Sequence, residues 1–262
     1  MTAAPDRDDL PTLIAIGVLA AMAASMSHEL VGHGLACLAT GGQVRLVSTV
    51  FFRCDGASAV SDLGGPLGNL AWALLALTLT ASRVVAHRTG RLFLLTTAAF
   101  SLFWFFGQLG VSLAGGRNDW IFAAADARWP SVWPVVAVVV AFAGYDLTRR
   151  GLTRAMRTLS AGEGAGADRR RFLSPWLAGT VAMMGAAMLF GEDRIGGLKD
   201  ATLGFGVAGL GIPLACALAS RFGGTGQDIG GWGRRPAWIV AAGIGFIVFC
   251  LTMGLGIGSG GL

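Results

Sequence analysis

Long apolar stretches alternate along the chain with short segments that hold nearly all of its charge. Seven of these stretches, at 11–39, 63–82, 92–114, 131–148, 174–191, 201–220 and 237–257, reach the length of a membrane span. A hydrocarbon core of ~30 Å needs about 20 helical residues at ~1.5 Å each. Two other segments break this rhythm. The segment 41–62 is too polar to cross; Val44, Leu46 and Ser48 alternate with Arg45, Val47 and Thr49, between Gly41-Gly42 and Asp55-Gly56. That pattern predicts a short strand or β-hairpin lying at the membrane surface. In 149–173, Leu152, Met156 and Leu159 recur at helical spacing among arginines, followed by a glycine-rich run. An interfacial helix and then a flexible linker are expected there. The predicted fold is therefore an all-α polytopic membrane protein with about seven transmembrane helices and a short surface β-hairpin after the first. It divides into a four-span part (1–148), the cytoplasmic helix and linker (149–173) and a three-span part (174–262) to which the residues assign no role.

Composition agrees with a bilayer environment. Of the 262 residues, 54% are hydrophobic and 13% charged, with a mean hydropathy of +0.64. A soluble domain carries about 25% charged residues. The net charge of +5 reports topology, because the arginines flank the spans and form no aromatic-interleaved patch of the kind that binds nucleic acid. Fourteen of the 20 Lys and Arg residues fall on the side of the amino terminus and six on the other. The bias towards positive charge inside then predicts a cytoplasmic amino terminus in a bacterial-type inner (plasma) membrane. The first residues lack the basic start of a signal peptide, so the first span is expected to be retained. Cys37, Cys216 and Cys250 sit in apolar segments and Cys54 stands alone in the polar loop, which predicts no obligatory disulfide. Small-residue faces serve internal packing or a dimer equally well, so the oligomeric state stays open.

The candidate chemistry centres on His28-Glu29-Leu30-Val31-Gly32-His33, inside the first apolar stretch. Two imidazoles and a carboxylate are costly in a bilayer, and a metal ion would compensate all three. His28 lies about 26 Å into its span, towards the far end. The second span begins at that end with Gly64-Gly65-Pro66-Leu67-Gly68-Asn69, and the third finishes there with Gly115-Gly116-Arg117-Asn118-Asp119-Trp120. The alternation of spans thus gathers three polar clusters at one depth. His28, His33 and Asp119 could ligate zinc and leave a position for water, with Glu29 as the general base. Gly64 and Gly65 permit close backbone approach, Pro66 suits a helix start, and the Asn69 amide suits a peptide backbone or a developing oxyanion. Each has a plainer alternative: an interhelical hydrogen bond for Asn69, and a helix cap for Asp119. Asp126 is a weaker substitute ligand and is expected mainly as a solvated loop residue. His87, between Arg83 and Arg88, is expected to be exposed.

The succession HELVGHGLACLATGG, a surface hairpin, GGPLGN and a span ending in NDW resembles the core of the site-2 protease family, intramembrane zinc metalloproteases of the M50 type. The resemblance covers roughly residues 20–125. It implies a three-helix core, zinc held by His28, His33 and Asp119, a water activated by Glu29, and cleavage of a membrane protein or membrane-adjacent peptide substrate. The chain departs from the family at one point: its histidines are five residues apart where the family motif has four. On a regular helix this sets His28 and His33 about 140° apart, at about 100° per residue. A single π-type turn would bring them back into line, and unwinding at Gly32 and Gly34 would do the same. Alternatively the site has changed, with Glu29, His33 and Asp119 binding a metal or nothing binding at all. The competing functional reading is an inactive membrane scaffold or partner-binding subunit that kept the protease fold. A histidine-rich di-iron enzyme is excluded, because the chain has only three histidines.

Overall fold

The computed structural model describes residues 8–82, 84–85, 87–112, 117–159, 165–221 and 233–258. It is mostly helical, with one two-stranded antiparallel sheet. Among the described residues, five helical segments are long and apolar enough to cross a membrane: Leu10–Ala39, Ala59–Ala81, Arg88–Val111, Arg194–Ala219 and Pro236–Gly254. They cover the first three and the last two of the expected spans.

The first segment comprises α1 (Leu10–Met26), a π-helical stretch (Ser27–His33) and α2 (Gly34–Ala39). Asp9 caps its start, with Oδ2 accepting from the Thr12 amide at 3.0 Å. A hairpin follows, β1 (Gln43–Val47) against β2 (Phe52–Asp55), with its register broken between Val44 and Leu46. The expected hairpin is present. The expectation of no disulfide is overturned: Cys37, at the end of α2, is bonded to Cys54 on β2. The two are 17 residues apart in sequence, and the hairpin folds β2 back over the helix end that carries Cys37. Beyond the sheet, Val47 pairs with Ile257.

The next helix, α3 (Ala59–Ala81), starts seven residues before Pro66, and so corrects the reading of that proline as a helix start. Ser58 supplies the real start. Its hydroxyl accepts from the Ser61 amide while the Ser61 hydroxyl accepts from the Ser58 amide, a reciprocal capping box. Then come α4 (Arg88–Val111), the short α5 (Asp119–Asp126) and α6 (Trp133–Leu159). The fourth expected span and the expected interfacial helix are one continuous helix, α6. No proline interrupts it, Asp146 pairs with Arg149 and Arg150 along it, and Thr148, Thr153 and Thr158 donate to the carbonyls four residues back. Of the expected glycine-rich linker, residues 160–164 lie outside the described residues, and the rest is already helical, because the next helix starts at Ala165.

The remaining helices are α7 (Ala165–Ala187), α8 (Arg194–Ala201), a second π-helical stretch (Thr202–Val207), α9 (Gly211–Arg221) and α10 (Pro236–Phe249), with a third π-helical stretch at Cys250–Gly254. α7 lies hard against α1: a Cβ on Gly17 would stand 2.0 Å from the Pro175 carbonyl oxygen, and one on Gly179 would stand 2.7 Å from that of Gly17. Asp8 and Arg171 form a buried ion pair at 2.7 Å at the same interface. The main core joins Leu13, Ile16, Phe100, Phe103, Met183 and Phe205, so the later helices are packed onto α1 and α4.

Candidate metal centre

The five-residue histidine spacing lies within the π-helical stretch Ser27–His33, between regular α-helix on both sides. A π turn takes up one additional residue, and it brings His28 and His33 onto one face with ring centroids 4.9 Å apart. The facing helix can approach because both partners lack side chains. A Cβ on Gly32 would stand 2.3 Å from the Gly64 carbonyl oxygen, and one on Gly68 would stand 2.3 Å from that of Ser27.

Asp119 arrives from α5. Asn118 is the residue that caps this helix, its Oδ1 accepting from the Ile121 amide at 3.0 Å while its Nδ2 donates to the Gln108 carbonyl. The cap is therefore one position earlier than the alternative for Asp119 supposed, which leaves the Asp119 carboxylate to face the imidazoles. Its Oδ2 is 3.1 Å from Nε2 of His28 and 3.5 Å from Nε2 of His33. The three donor atoms lie within 4.8 Å of one another. Ligands ~2.0–2.1 Å from a tetrahedral ion are about 3.3 Å apart, so this spacing suits a metal with few rearrangements. A Cβ on Gly65 would fall 2.2 Å from Nε2 of His33 and 2.6 Å from Nε2 of His28. Only glycine keeps that space open.

Each ligand has a second contact that sets its orientation. His33 donates from Nδ1 to the Ser61 carbonyl at 2.7 Å, which leaves Nε2 with its lone pair towards the cluster. His28 stacks on Trp104 at 4.4 Å, and His33 stacks on Phe52 of β2 at 5.1 Å. Gln108 donates from Nε2 to Asp119 Oδ2 at 2.7 Å.

Asn69 is fully buried beside His28 rather than open to a substrate. Its amide lies 3.1 Å from His28 Nδ1 and 2.9 Å from the Ser27 hydroxyl. In the structure Asn69 Nδ2 faces His28 Nδ1 and Asn69 Oδ1 accepts from the Ser27 hydroxyl; a metal on His28 Nε2 would place the proton on Nδ1 and call for the flipped amide, with Ser27 donating to the Ala24 carbonyl. This is the interhelical hydrogen bond weighed above as the plainer alternative. Glu29 is 2% exposed, neighbours His28 and makes no side-chain hydrogen bond among the described residues. Asp126 accepts from the Ala59 amide at 2.8 Å, so it tethers the start of α3 instead of standing free in a loop. His87 is exposed, as expected.

Several residues here carried no signal in the motif reading. Trp104 and Phe52 are aromatic positions among many, and Ser61 contributes a backbone atom. Gln108 was the detectable one, as a polar residue near the end of an apolar span. Asp200 on α8 also lies within electrostatic reach of Glu29 and Asp119, and brings a later helix to the site. No family model, curated protein or solved structure matches the chain.

Proposed function

We propose that this protein is an intramembrane zinc metalloprotease that hydrolyses peptide bonds of membrane or membrane-adjacent substrates. The observation that carries the reading is the convergence of His28, His33 and Asp119 with an unengaged, buried Glu29 next to them in sequence. Two neutral imidazoles and one carboxylate are the donor set of a catalytic zinc site with an open position. The resemblance of the motif order to the site-2 protease family supports the same assignment.

Bound zinc would lower the pKa of a coordinated water and polarise the substrate carbonyl. The protein residues supply the rest. Glu29 takes the proton from the attacking water and passes it to the departing amine nitrogen as the C–N bond breaks. Asn69 and Ser61 fix the two imidazoles through their Nδ1 atoms, and Gln108 fixes Asp119. Trp104 and Phe52 cover the ring faces and keep bulk water from them.

The reading includes seven spans, with α6 and α7 as the fourth and fifth, and a cytoplasmic amino terminus. Two independent signals support that orientation. Positive charge is concentrated at the end opposite the metal cluster, and the Cys37–Cys54 disulfide lies at the cluster end, where an oxidising compartment would form it.

The test is metal analysis of the purified chain together with a peptide-hydrolysis assay. About one zinc per chain is expected in the wild type, lost in His33→Ala and Asp119→Ala, and retained in Glu29→Gln with hydrolysis abolished. A wild type prepared without chelator that holds no metal would overturn the proposal. Zinc retained with no hydrolysis of any membrane peptide would favour the scaffold reading.

A further inference from the structure

At the opposite end of the molecule, α6 carries Arg149, Arg150, Arg154 and Arg157 on one face, at spacings that bring them side by side along the helix. With Thr153 and with Leu218 of α9, they line a groove of about 200 Å³. Asp146 pairs with Arg149 and Arg150, and no acidic residue is among the described residues that line the groove, so that lining keeps an excess of positive charge. Arg154 is exposed and pairs with no acidic group among the described residues. The face is held in place from behind. Leu152 and Met156 are buried in the main core, where Met156 Sδ touches Cys216 Sγ of α9 at 4.0 Å.

Immediately towards the apolar middle of the same two helices, large hydrophobic side chains stand open. Phe142 is 74% and Leu147 70% exposed on α6, and Leu214 is 50% exposed on α9. Leu147 lies about 10 Å along the axis from Arg154, at ~1.5 Å per residue. A cationic groove therefore continues into an apolar wall within a molecule's length.

We propose that this groove binds the phosphate headgroup of an anionic phospholipid, with its acyl chains lying along the exposed faces of α6 and α9. Guanidinium groups hold phosphate oxygens in paired hydrogen bonds, and a basic pocket between helices at a membrane surface suits an anionic headgroup. The apolar wall selects a lipid over a free anion, and charge selects an anionic lipid over a zwitterionic one. This inference is independent of the metal centre.

The full-length protein would be reconstituted in nanodiscs of phosphatidylcholine, with and without phosphatidylglycerol of the same acyl chains. Thermal midpoints would be compared, and lipids retained after detergent extraction would be counted by mass spectrometry. We expect phosphatidylglycerol to raise the midpoint and to be retained selectively. Replacing Arg154 by Gln should weaken retention roughly fivefold, with the midpoint in pure phosphatidylcholine unchanged. Leu218→Glu, which sets a carboxylate in the groove, should reduce retention as a second and independent variant. Arg88→Gln, on the same side but outside the groove, should leave it unaltered. Equal retention in the groove variants, or no preference for phosphatidylglycerol, would overturn the proposal. So would inorganic phosphate producing the same midpoint rise in phosphatidylcholine discs, since that would identify a free-anion site.

Discussion

Of the three π-helical stretches among the described residues, Ser27–His33 in the first apolar segment and Thr202–Val207 beyond α8 differ most in what surrounds them. In the second, the carbonyl of Phe205 accepts from the Trp176 indole at 3.3 Å and from the Thr180 hydroxyl at 3.2 Å. The irregular backbone is satisfied there by side chains of α7, and no titratable group lies within the turn. In the first, the widened turn carries His28, Glu29 and His33, and Gly64, Gly65 and Gly68 of the facing helix give it room. A π turn is thus a neutral geometric device in this molecule. What distinguishes a candidate site is which side chains the turn realigns, and whether the neighbouring helix leaves space beside them.

The largest effect on metal binding is expected at Gly65. Gly65→Ala puts a methyl where the two Nε2 atoms face the cluster, and zinc affinity should fall on the order of 100-fold or more, read by competition with a chromophoric chelator. Unchanged affinity would mean that the cluster does not hold its ion at that point. A smaller effect is expected in the second turn. Thr180→Val removes one of the two donors to the Phe205 carbonyl and should lower unfolding stability by about 1 kcal/mol, with metal content unaltered; a loss of metal would show that the two turns are coupled. The smallest effect on metal is expected from deleting Val31, an exposed residue of the first turn. That deletion leaves the histidines four apart on a regular helix, about 40° from alignment, so zinc content should stay at about one per chain. If metal is lost, the wide turn itself sets the ligand geometry.

Much of the site was legible in the sequence because it followed from fixed helix geometry. The five-residue spacing demanded a wide turn or a changed ligand set, and the alternation of apolar segments brought positions 28, 69 and 119 to one depth. The start of α3 was misplaced because Pro66 is a conspicuous signal and a Ser58–Ser61 capping box is not, although both hydroxyls were visible. The Cys37–Cys54 bond was missed because its two cysteines look unrelated until the hairpin folds back. The continuity of α6 into its arginine-rich end is hidden in the sequence, because the polarity changes there while the helix does not break. Polarity reports the surroundings of a helix and backbone chemistry reports its ends, and here the two do not coincide.

The pairing of Val47 with Ile257 has a consequence for the order in which the molecule can be made. Ser25 donates to the Thr49 carbonyl and Thr49 to the Met253 carbonyl, so the loop of the hairpin is stitched both to the first helix and to the last described one. During synthesis the hairpin leaves the ribosome early, whereas the segment that closes its free edge emerges only after α10. Through that interval β1 presents unpaired backbone groups beside the nascent cluster. Assembly of this end of the protein is therefore completed by its latest-made described residues, and a translation product that stopped before them would leave the hairpin with an open edge.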